Sequence, residues 1–180
     1  MRKLLRGMRI RRQSLGEPPG SLTTEHSGEP SRIHVITYDQ RGVEETHVTV
    51  APGEGFPELP KELNGGVRWV NVIGVRDGEF LRELGRRFSV HPLMLEDVQH
   101  TDQRPKLQDN GNSLFLVLRM VSWNGDQGYL ESEQVSIYSE GGTVISFQER
   151  PGDVFEGLRD RIRTGKGRLR RSAADYLVYA

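Results

Sequence analysis

The segment VRWVNVIGVRDGEFLRELGRRFSVHPLMLEDVQ, residues 67–99, contains the change of pattern that decides the fold class. Its first part, residues 67–75, is mostly β-branched or aromatic and predicts a strand. Residues 79–88 then carry apolar side chains at helical spacing, and Pro92 fits the first position of a second, shorter helix. A strand followed by two helices is typical of a domain in which helices cover a sheet.

Further strands are predicted on both sides of this segment. Residues 32–39 and 43–50 alternate between polar and apolar side chains around the turn DQRG at 39–42, which predicts a β-hairpin. Residues 113–123 are nearly all apolar, and we expect a strand that is covered on both faces. Residues 130–149 predict two more strands around a Glu-Gly-Gly turn.

Two helices are predicted after the last strand. Residues 154–165 carry an apolar stripe at helical spacing, with Asp153 as the candidate N-cap. A final helix is predicted to begin near Leu169 or Ser172. The order of three strands, two helices, three or four strands and two helices predicts a mixed sheet with helices on both faces.

The composition is that of a globular chain long enough for one domain with a sizeable core. Of the 180 residues, 34% are hydrophobic, and the formal net charge of +0 gives the whole molecule no attraction to nucleic acid or anionic membrane. The absence of cysteine excludes disulfides and thiolate metal sites. No apolar run is long enough to span a membrane and no signal peptide is evident, so we expect a soluble, intracellular polypeptide.

The two ends of the chain differ from the domain between them. Residues 1–31 begin with a basic segment and continue with Gly, Pro, Ser and Thr, which predicts a flexible tail, although its basic tip could also contact anionic lipid or RNA. Residues 32–180 form the predicted domain. The last helix has no Gly, Asn or Pro to end it before Ala180, so we expect the sequence to be a fragment whose natural helix continues.

Two adjacent acids, Glu96 and Asp97, fall at the predicted end of the helix that starts at Pro92. The helix dipole disfavours carboxylates there by a few tenths of a kcal/mol each. Because adjacent helical side chains point about 100° apart, the two acids could serve two ions, or one ion shared with another element or subunit. The structural alternative is a salt bridge to Arg104 or Lys106.

Other candidate sites give weaker signals. Asp175 follows Ser172 by three residues, an arrangement close to a capping box, so stabilisation of a helix start is a sufficient explanation for it. The basic run at 161–171 lacks the phosphate-loop spacing and interleaved aromatics, which favours a solvated connection over a nucleic-acid site.

The five histidines include no close pair with zinc spacing, although His91 and His100 flank the acidic pair. No nucleophile elbow or dinucleotide fingerprint indicates an enzyme.

Several separate motifs resemble one known family in collinear order. These are HPLMLEDVQHTDQRPKLQ (91–108), SLFLVLRM (113–120), LESEQVSIY (130–138) and the whole of 144–180, with GEPPGSL (16–22) as a Pro-Pro-Gly element near the start. Together they closely resemble the cytosolic N-terminal domain of the CorA magnesium transporters. The resemblance implies an α/β fold of three layers, α/β/α, with a central mixed, largely antiparallel sheet of about seven strands and helices on both faces.

The resemblance also implies a transporter and not an enzyme. In this family a very long helix follows the domain and enters the membrane, and two membrane spans follow with a Gly-Met-Asn signature between them. Neither the spans nor the signature is present in these 180 residues. The complete protein is then expected at the cytoplasmic face of the cell membrane as a homopentamer, and this fragment is expected to be soluble. Its implied partners are other protomers of the same protein and divalent metal ions, with no nucleic acid.

The family resemblance makes three acids, Asp97, Glu96 and Asp175, the implied metal ligands. In characterised members, cytosolic carboxylates at subunit interfaces bind divalent ions and hold the pentamer closed. The resemblance therefore implies an ion-sensing regulatory domain for Mg²⁺, with Co²⁺ or Ni²⁺ as further candidates. Two alternatives stay open: the cytosolic domain of a zinc-transporting relative, and a freestanding soluble binding module.

Overall fold

The computed structural model describes residues 18–24, 29–59, 65–126, 128–152 and 154–180. Seven strands, four α-helices and one short 3₁₀ helix occur within these ranges. The strands are β1 (Ser31–Tyr38), β2 (Val43–Val50), β3 (Val67–Ile73), β4 (Lys106–Asp109), β5 (Ser113–Asn124), β6 (Tyr129–Glu140) and β7 (Thr143–Gln148). The α-helices are α1 (Gly78–Phe88), α2 (Pro92–Gln99), α3 (Glu156–Arg163) and α4 (Ala174–Tyr179), and the 3₁₀ helix is Leu169–Arg171.

The strands form one sheet in the order β2-β1-β3-β7-β6-β5-β4. Five of the neighbouring pairs are antiparallel, and β3 with β7 is the one parallel pair among the described strands. The predicted mixed, largely antiparallel sheet of about seven strands is therefore confirmed. The predicted hairpin of β1 and β2 is also present, with Tyr38 opposite Val43 and Ser31 opposite Val50.

Each face of the sheet is covered by its own pair of helices. Ile33 and Val35 of β1 point into a core that includes apolar side chains of α1 and α2. Ile36 and Tyr38, which alternate with them, point into a second core with side chains of α3, α4 and the 3₁₀ helix. Because successive strand residues face opposite sides, β1 takes part in both cores, and the three-layer α/β/α architecture is confirmed.

Buried polar side chains join the two strands of the parallel pair. The indole Nε1–H of Trp69 donates to Ser146 Oγ at 2.9 Å, and the Ser146 hydroxyl donates to Asn71 Oδ1 at 2.7 Å. Asn71 Nδ2 in turn donates to Gln148 Oε1 at 3.1 Å. All four side chains are at most 2% exposed, so these hydrogen bonds satisfy groups that would otherwise be costly to bury.

Local sequence explains where α1 and α2 begin. Asp77 caps α1 by accepting hydrogen bonds from the backbone N–H groups of Glu79 and Phe80. Pro92 occupies the first position of α2, and His91 Nδ1 accepts from the Leu93 N–H at 3.2 Å. The short connection between the two helices leaves them packed on the same face of the sheet.

The prediction that residues 113–123 form a strand covered on both faces is wrong for its second half. Phe115 and Val117 are buried, but Val121 and Trp123 are 58% and 61% exposed. The physical reason is that the cores do not extend over this half of the strand: Phe115 belongs to the core with α1 and α2, whereas Val121 and Trp123 belong to neither described core. This half also lacks β4 as a neighbour, since β4 pairs only with Leu114–Val117. The apolar run at 113–123 therefore reflects high strand propensity, and it does not predict that the whole strand is buried.

Two further predictions concern segments near the ends of the chain, and a third concerns membrane spans. Residues 18–24, which fall within the predicted tail, lie against α2, whereas 1–17 and 25–28 lie outside the described residues. The candidate cap Asp153 also lies outside them, and α3 begins at Glu156. In the described ranges, no helix combines the length and the apolar content that crossing a membrane requires.

Replacement of Ser146 by alanine tests the polar link within the parallel pair. Ser146→Ala leaves the Trp69 N–H and the Asn71 carbonyl without this partner in the core, so we expect the free energy of unfolding to fall by about 1–3 kcal/mol. Urea denaturation measures this loss. The control Ser122→Ala, on the exposed end of β5, is expected to change stability by less than about 0.5 kcal/mol. Equal losses in the two variants would contradict the prediction.

Candidate functional site

The end of α2 positions the two predicted acids at the protein surface. Met94, Leu95 and Val98 are buried against the sheet, which fixes the rotation of the helix. Glu96 and Asp97 therefore lie in the last turn at the margin of the buried face, with side chains 24% and 17% exposed. Both carboxylates remain accessible at the helix end, where backbone carbonyls already present partial negative charge.

Glu96 is bound to the Pro-Pro-Gly element of the same chain. Its Oε2 accepts a hydrogen bond from the Gly20 N–H at 2.6 Å, and His100 Nδ1 lies 3.8 Å from its Oε1. Gly20 has φ +82°, and a Cβ there would come within 3.1 Å of Pro92 Cβ, so the close approach requires glycine. Glu96 thus has a structural role whether or not it also binds an ion.

Gln99 secures the same N-terminal segment, and sequence reasoning missed this residue. The Thr23 N–H donates to Gln99 Oε1 at 2.7 Å, and Gln99 Nε2 donates to the Thr23 carbonyl at 2.6 Å. Leu22 packs against the core, and a Cβ on Gly78 would come within 2.8 Å of the Thr23 carbonyl oxygen. The Pro-Pro-Gly motif was the available signal that residues 18–24 are ordered. No local sequence pattern, however, identifies Gln99 as the residue that binds them.

Asp97 pairs with Lys106, the first residue of β4. The Lys106 Nζ lies 2.5 Å from Asp97 Oδ2, so the salt bridge that the sequence left open as an alternative is present. The Asp97 carbonyl also accepts a hydrogen bond from Gln134 Nε2 at 2.8 Å, which ties the helix end to β6. The carboxylate at this position is therefore already neutralised by one cation.

Asp175 lies apart from the other two acids. It is exposed in the first turn of α4, where its Oδ1 accepts from the Tyr176 N–H at 2.8 Å, and Ala173 and not Ser172 occupies the N-cap position. Because α4 packs on the sheet face opposite α2, the sheet separates Asp175 from Glu96 and Asp97. The sheet therefore keeps the three predicted ligands from forming a single site within one chain.

A second group of possible ligands occurs on the β1–β2 hairpin. His34 and His47 are direct cross-strand partners with stacked rings 3.8 Å apart, and His34 Nε2 lies 3.0 Å from Glu45 Oε2. One ligand atom from each of these three residues lies within 4.8 Å of the others. The histidines include no pair at zinc spacing in the sequence, but His34 and His47 meet across the hairpin. Because the turn at 39–42 sets the register of the hairpin, it places His34 opposite His47.

Arg163 of α3 contacts this group. Its Nε donates to Glu45 Oε1 at 2.7 Å and its Nη2 donates to Glu45 Oε2 at 3.0 Å, a bidentate arrangement. These hydrogen bonds hold the pKa of the Glu45 carboxyl below its usual value, in spite of partial burial. Burial lowers the pKa of His34, an effect that the hydrogen bond to Glu45 partly offsets, so the neutral imidazole is favoured.

Comparison with known sequences identifies one family. The model of the family described as CorA-like Mg²⁺ transporter protein matches residues 64–180. The cobalt/magnesium transport protein CorA of Thermotoga maritima is 36% identical over 166 residues, which cover 92% of this chain and 46% of that protein. The chain thus spans about half the length of this curated relative, and the resemblance inferred from the sequence motifs is confirmed.

Solved structures share the fold at low sequence identity. The full-length CmaX protein matches with a TM-score of 0.59 and 20% identity, over 86% of this chain and 45% of that one. The CorA magnesium transporter from Methanocaldococcus jannaschii matches with a TM-score of 0.52 and 13% identity, over 81% and 42% of the two chains. The ZntB cytoplasmic domain from Vibrio parahaemolyticus matches with a TM-score of 0.51 and 14% identity, over 81% and 56% of the two chains. At these identities the likeness concerns the fold alone.

Replacement of Gln99 tests whether its paired hydrogen bonds hold the N-terminal segment on α2. Gln99→Ala removes the three hydrogen bonds between Gln99 and Thr23, so we expect a loss of about 1–3 kcal/mol in the free energy of unfolding. We also expect faster chymotryptic cleavage after Leu22, measured by limited proteolysis and mass spectrometry. Gln108→Ala, at an exposed position of β4, is the matched control. Cleavage after Leu22 at the wild-type rate in Gln99→Ala would contradict the assigned role.

Proposed function

The chain belongs to the family of CorA-like Mg²⁺ transporter proteins, and on that premise we propose that it is the cytosolic ion-sensing domain of such a transporter. The family description names transporters, which agrees with the prediction that the chain is not an enzyme. In this proposal the complete protein lies in the cell membrane, and the domain responds to the concentration of divalent cations on the cytoplasmic side of the membrane.

The observation that carries the proposal is the arrangement of charge at the end of α2. Two accessible carboxylates, Glu96 and Asp97, sit where the helix carbonyls already create negative potential. The Asp97 carboxylate is occupied by the Lys106 ammonium at 2.5 Å, so a cation is bound there in the absence of metal. Mg²⁺ prefers oxygen ligands, keeps several of its waters and needs only one or two carboxylates. A hydrated Mg²⁺ ion can therefore take the place of the ammonium.

Competition with Lys106 makes the proposed site a sensor and not a permanent metal centre. The Mg²⁺ ion must displace the salt bridge between Asp97 and Lys106. Its net binding free energy is therefore the difference between the Mg²⁺–carboxylate and ammonium–carboxylate interactions. Such a site is weak and fills only when the ion is abundant. Binding that is stronger in one assembly state than in another shifts the population towards that state.

Asp175 supports a site between copies of the chain. It is exposed on the face of the domain opposite α2, and a neighbouring protomer in a ring can bring such an acid near the α2 end of the next one. Without metal, facing carboxylates repel across the interface; with a dication between them they attract. In the proposed homopentamer, Mg²⁺ thereby favours the closed arrangement.

The ligand chemistry favours magnesium over zinc at this site. All three proposed ligands are carboxylates, and oxygen ligands with water suit Mg²⁺, whereas imidazole or thiolate donors are typical of zinc. The Thermotoga maritima relative is named a cobalt/magnesium transport protein, so Co²⁺ is a second candidate ion.

Two substitutions at the end of α2 are expected to change magnesium sensing in opposite directions. Asp97→Asn removes one ligand charge, so the Mg²⁺ concentration that half-inhibits uptake should rise roughly tenfold, the equivalent of one lost charge-assisted contact of about 1.5 kcal/mol. Lys106→Gln removes the competing ammonium and should lower that concentration. The measurement is Mg²⁺ uptake by the complete transporter in proteoliposomes, with Mg²⁺ varied on the side of this domain.

The opposite signs separate metal binding from a purely structural salt bridge. If Asp97 only stabilises the fold through Lys106, both substitutions break the same contact and act in the same direction. Asp126→Asn, in the exposed turn between β5 and β6, is the matched control and should leave the response unchanged. Wild-type regulation in both Asp97→Asn and Lys106→Gln would refute the proposed sensor.

A further inference from the structure

The hairpin of β1 and β2 brings together three metal-ligating side chains on the sheet face that α3 covers. His34 and His47 are opposite each other, and Glu45 lies two residues before His47 and so on the same face of β2. His34 is only 7% exposed, whereas His47 is exposed at the sheet edge. A cavity of about 340 Å³, lined in part by His34, His47 and Arg163, opens beside the two rings.

We propose that His34, Glu45 and His47 bind one transition-metal dication of the zinc or cobalt class. Two imidazoles and a carboxylate suit Zn²⁺, Co²⁺ and Ni²⁺ and do not suit Mg²⁺, which prefers oxygen ligands. Three protein ligands leave a fourth position for water, and the adjoining cavity provides room for it. This site is separate from the acids of α2 and does not depend on the proposed magnesium sensor.

The observed distances fit a metal in place of a hydrogen bond. His34 Nε2 and Glu45 Oε2 are 3.0 Å apart, which is close to the separation of about 3.3 Å between two tetrahedral ligands at bond lengths near 2.0–2.1 Å. In the metal-bound form, the hydrogen of the neutral His34 ring lies on Nδ1, and Nε2 offers its lone pair to the ion. His47 is exposed on an edge strand, so a change of its rotamer completes the set.

Arg163 limits the affinity of the proposed site. Its guanidinium donates to both oxygens of Glu45 at 2.7 and 3.0 Å, and it also contacts Glu156 and Asp160 within α3. A metal on Glu45 Oε2 competes with Arg163 Nη2 for that oxygen, while Nε keeps its bond to Oε1. Arg159, which is 4% exposed, adds a second positive charge on the same side. We therefore expect reversible binding and not a permanently filled structural site.

Titration of the chain with Zn²⁺ and Co²⁺ tests this inference. Isothermal calorimetry with Zn²⁺ and the visible d–d absorption of Co²⁺ are expected to report one ion per chain, with no competition from Mg²⁺. His47→Ala should weaken Zn²⁺ binding by about tenfold or more, since even outer partners of a metal ligand contribute about 10–100-fold. Thr49→Ala, which lies on the same strand face and lines the same cavity, is the control and should bind as the wild type does.

Arg163→Gln provides a result that a purely structural network cannot give. Release of Glu45 from its bidentate partner should tighten Zn²⁺ binding, whereas His47→Ala in the same background should weaken it again. Far-ultraviolet circular dichroism verifies that each variant is folded. The proposal is overturned if the wild-type chain shows no saturable Zn²⁺ binding, or if His47→Ala binds Zn²⁺ as tightly as Thr49→Ala does.

Discussion

The parallel pairing of β3 with β7 is the constraint on which the arrangement of the domain depends. Parallel neighbours cannot be joined by a tight turn, and here the connection from β3 to β7 includes α1, α2 and the antiparallel strands β4–β6. Both strands are buried on both faces, so helices must cover each side of the sheet. Trp69, Asn71 and Ser146 supply hydrogen bonds within this pair. The chain thereby places α1 and α2 on one face and α3 and α4 on the other.

This layering determines which of the proposed ligands can meet within one chain. Glu96 and Asp97 emerge at the end of α2 on one face, and Asp175 lies on α4 on the opposite face. A domain of this shape offers acids at two separate surfaces, and identical copies in a ring bring unlike surfaces together. The proposed sensor site therefore requires acids from two protomers, because the sheet separates them within a single chain.

Local patterns in the sequence predicted most elements and their order, because strand alternation and helical spacing are properties of consecutive residues. Contacts between distant segments were harder to predict from the sequence. The pairing of Gln99 with Thr23 depends on how residues 18–24 cross α2, which no local pattern encodes. Trp123 was predicted to be covered because apolar runs reflect strand propensity, whereas its burial depends on whether a core extends over this end of the sheet. The His34–His47 contact was within reach, since it follows from the register of a hairpin that the sequence already predicted.

The two proposed cation sites share a physical design in spite of their different ligand chemistry. In each, a basic side chain neutralises the carboxylate when no metal is bound: Lys106 does so for Asp97, and Arg163 for Glu45. A partly buried carboxylate without such a partner would destabilise the metal-free fold, so the basic residue allows the domain to persist without the ion. The same residue competes with the ion and lowers its affinity. Reversible occupancy of both proposed sites is then a consequence of stability in the metal-free state, as the proposed ion-sensing role requires.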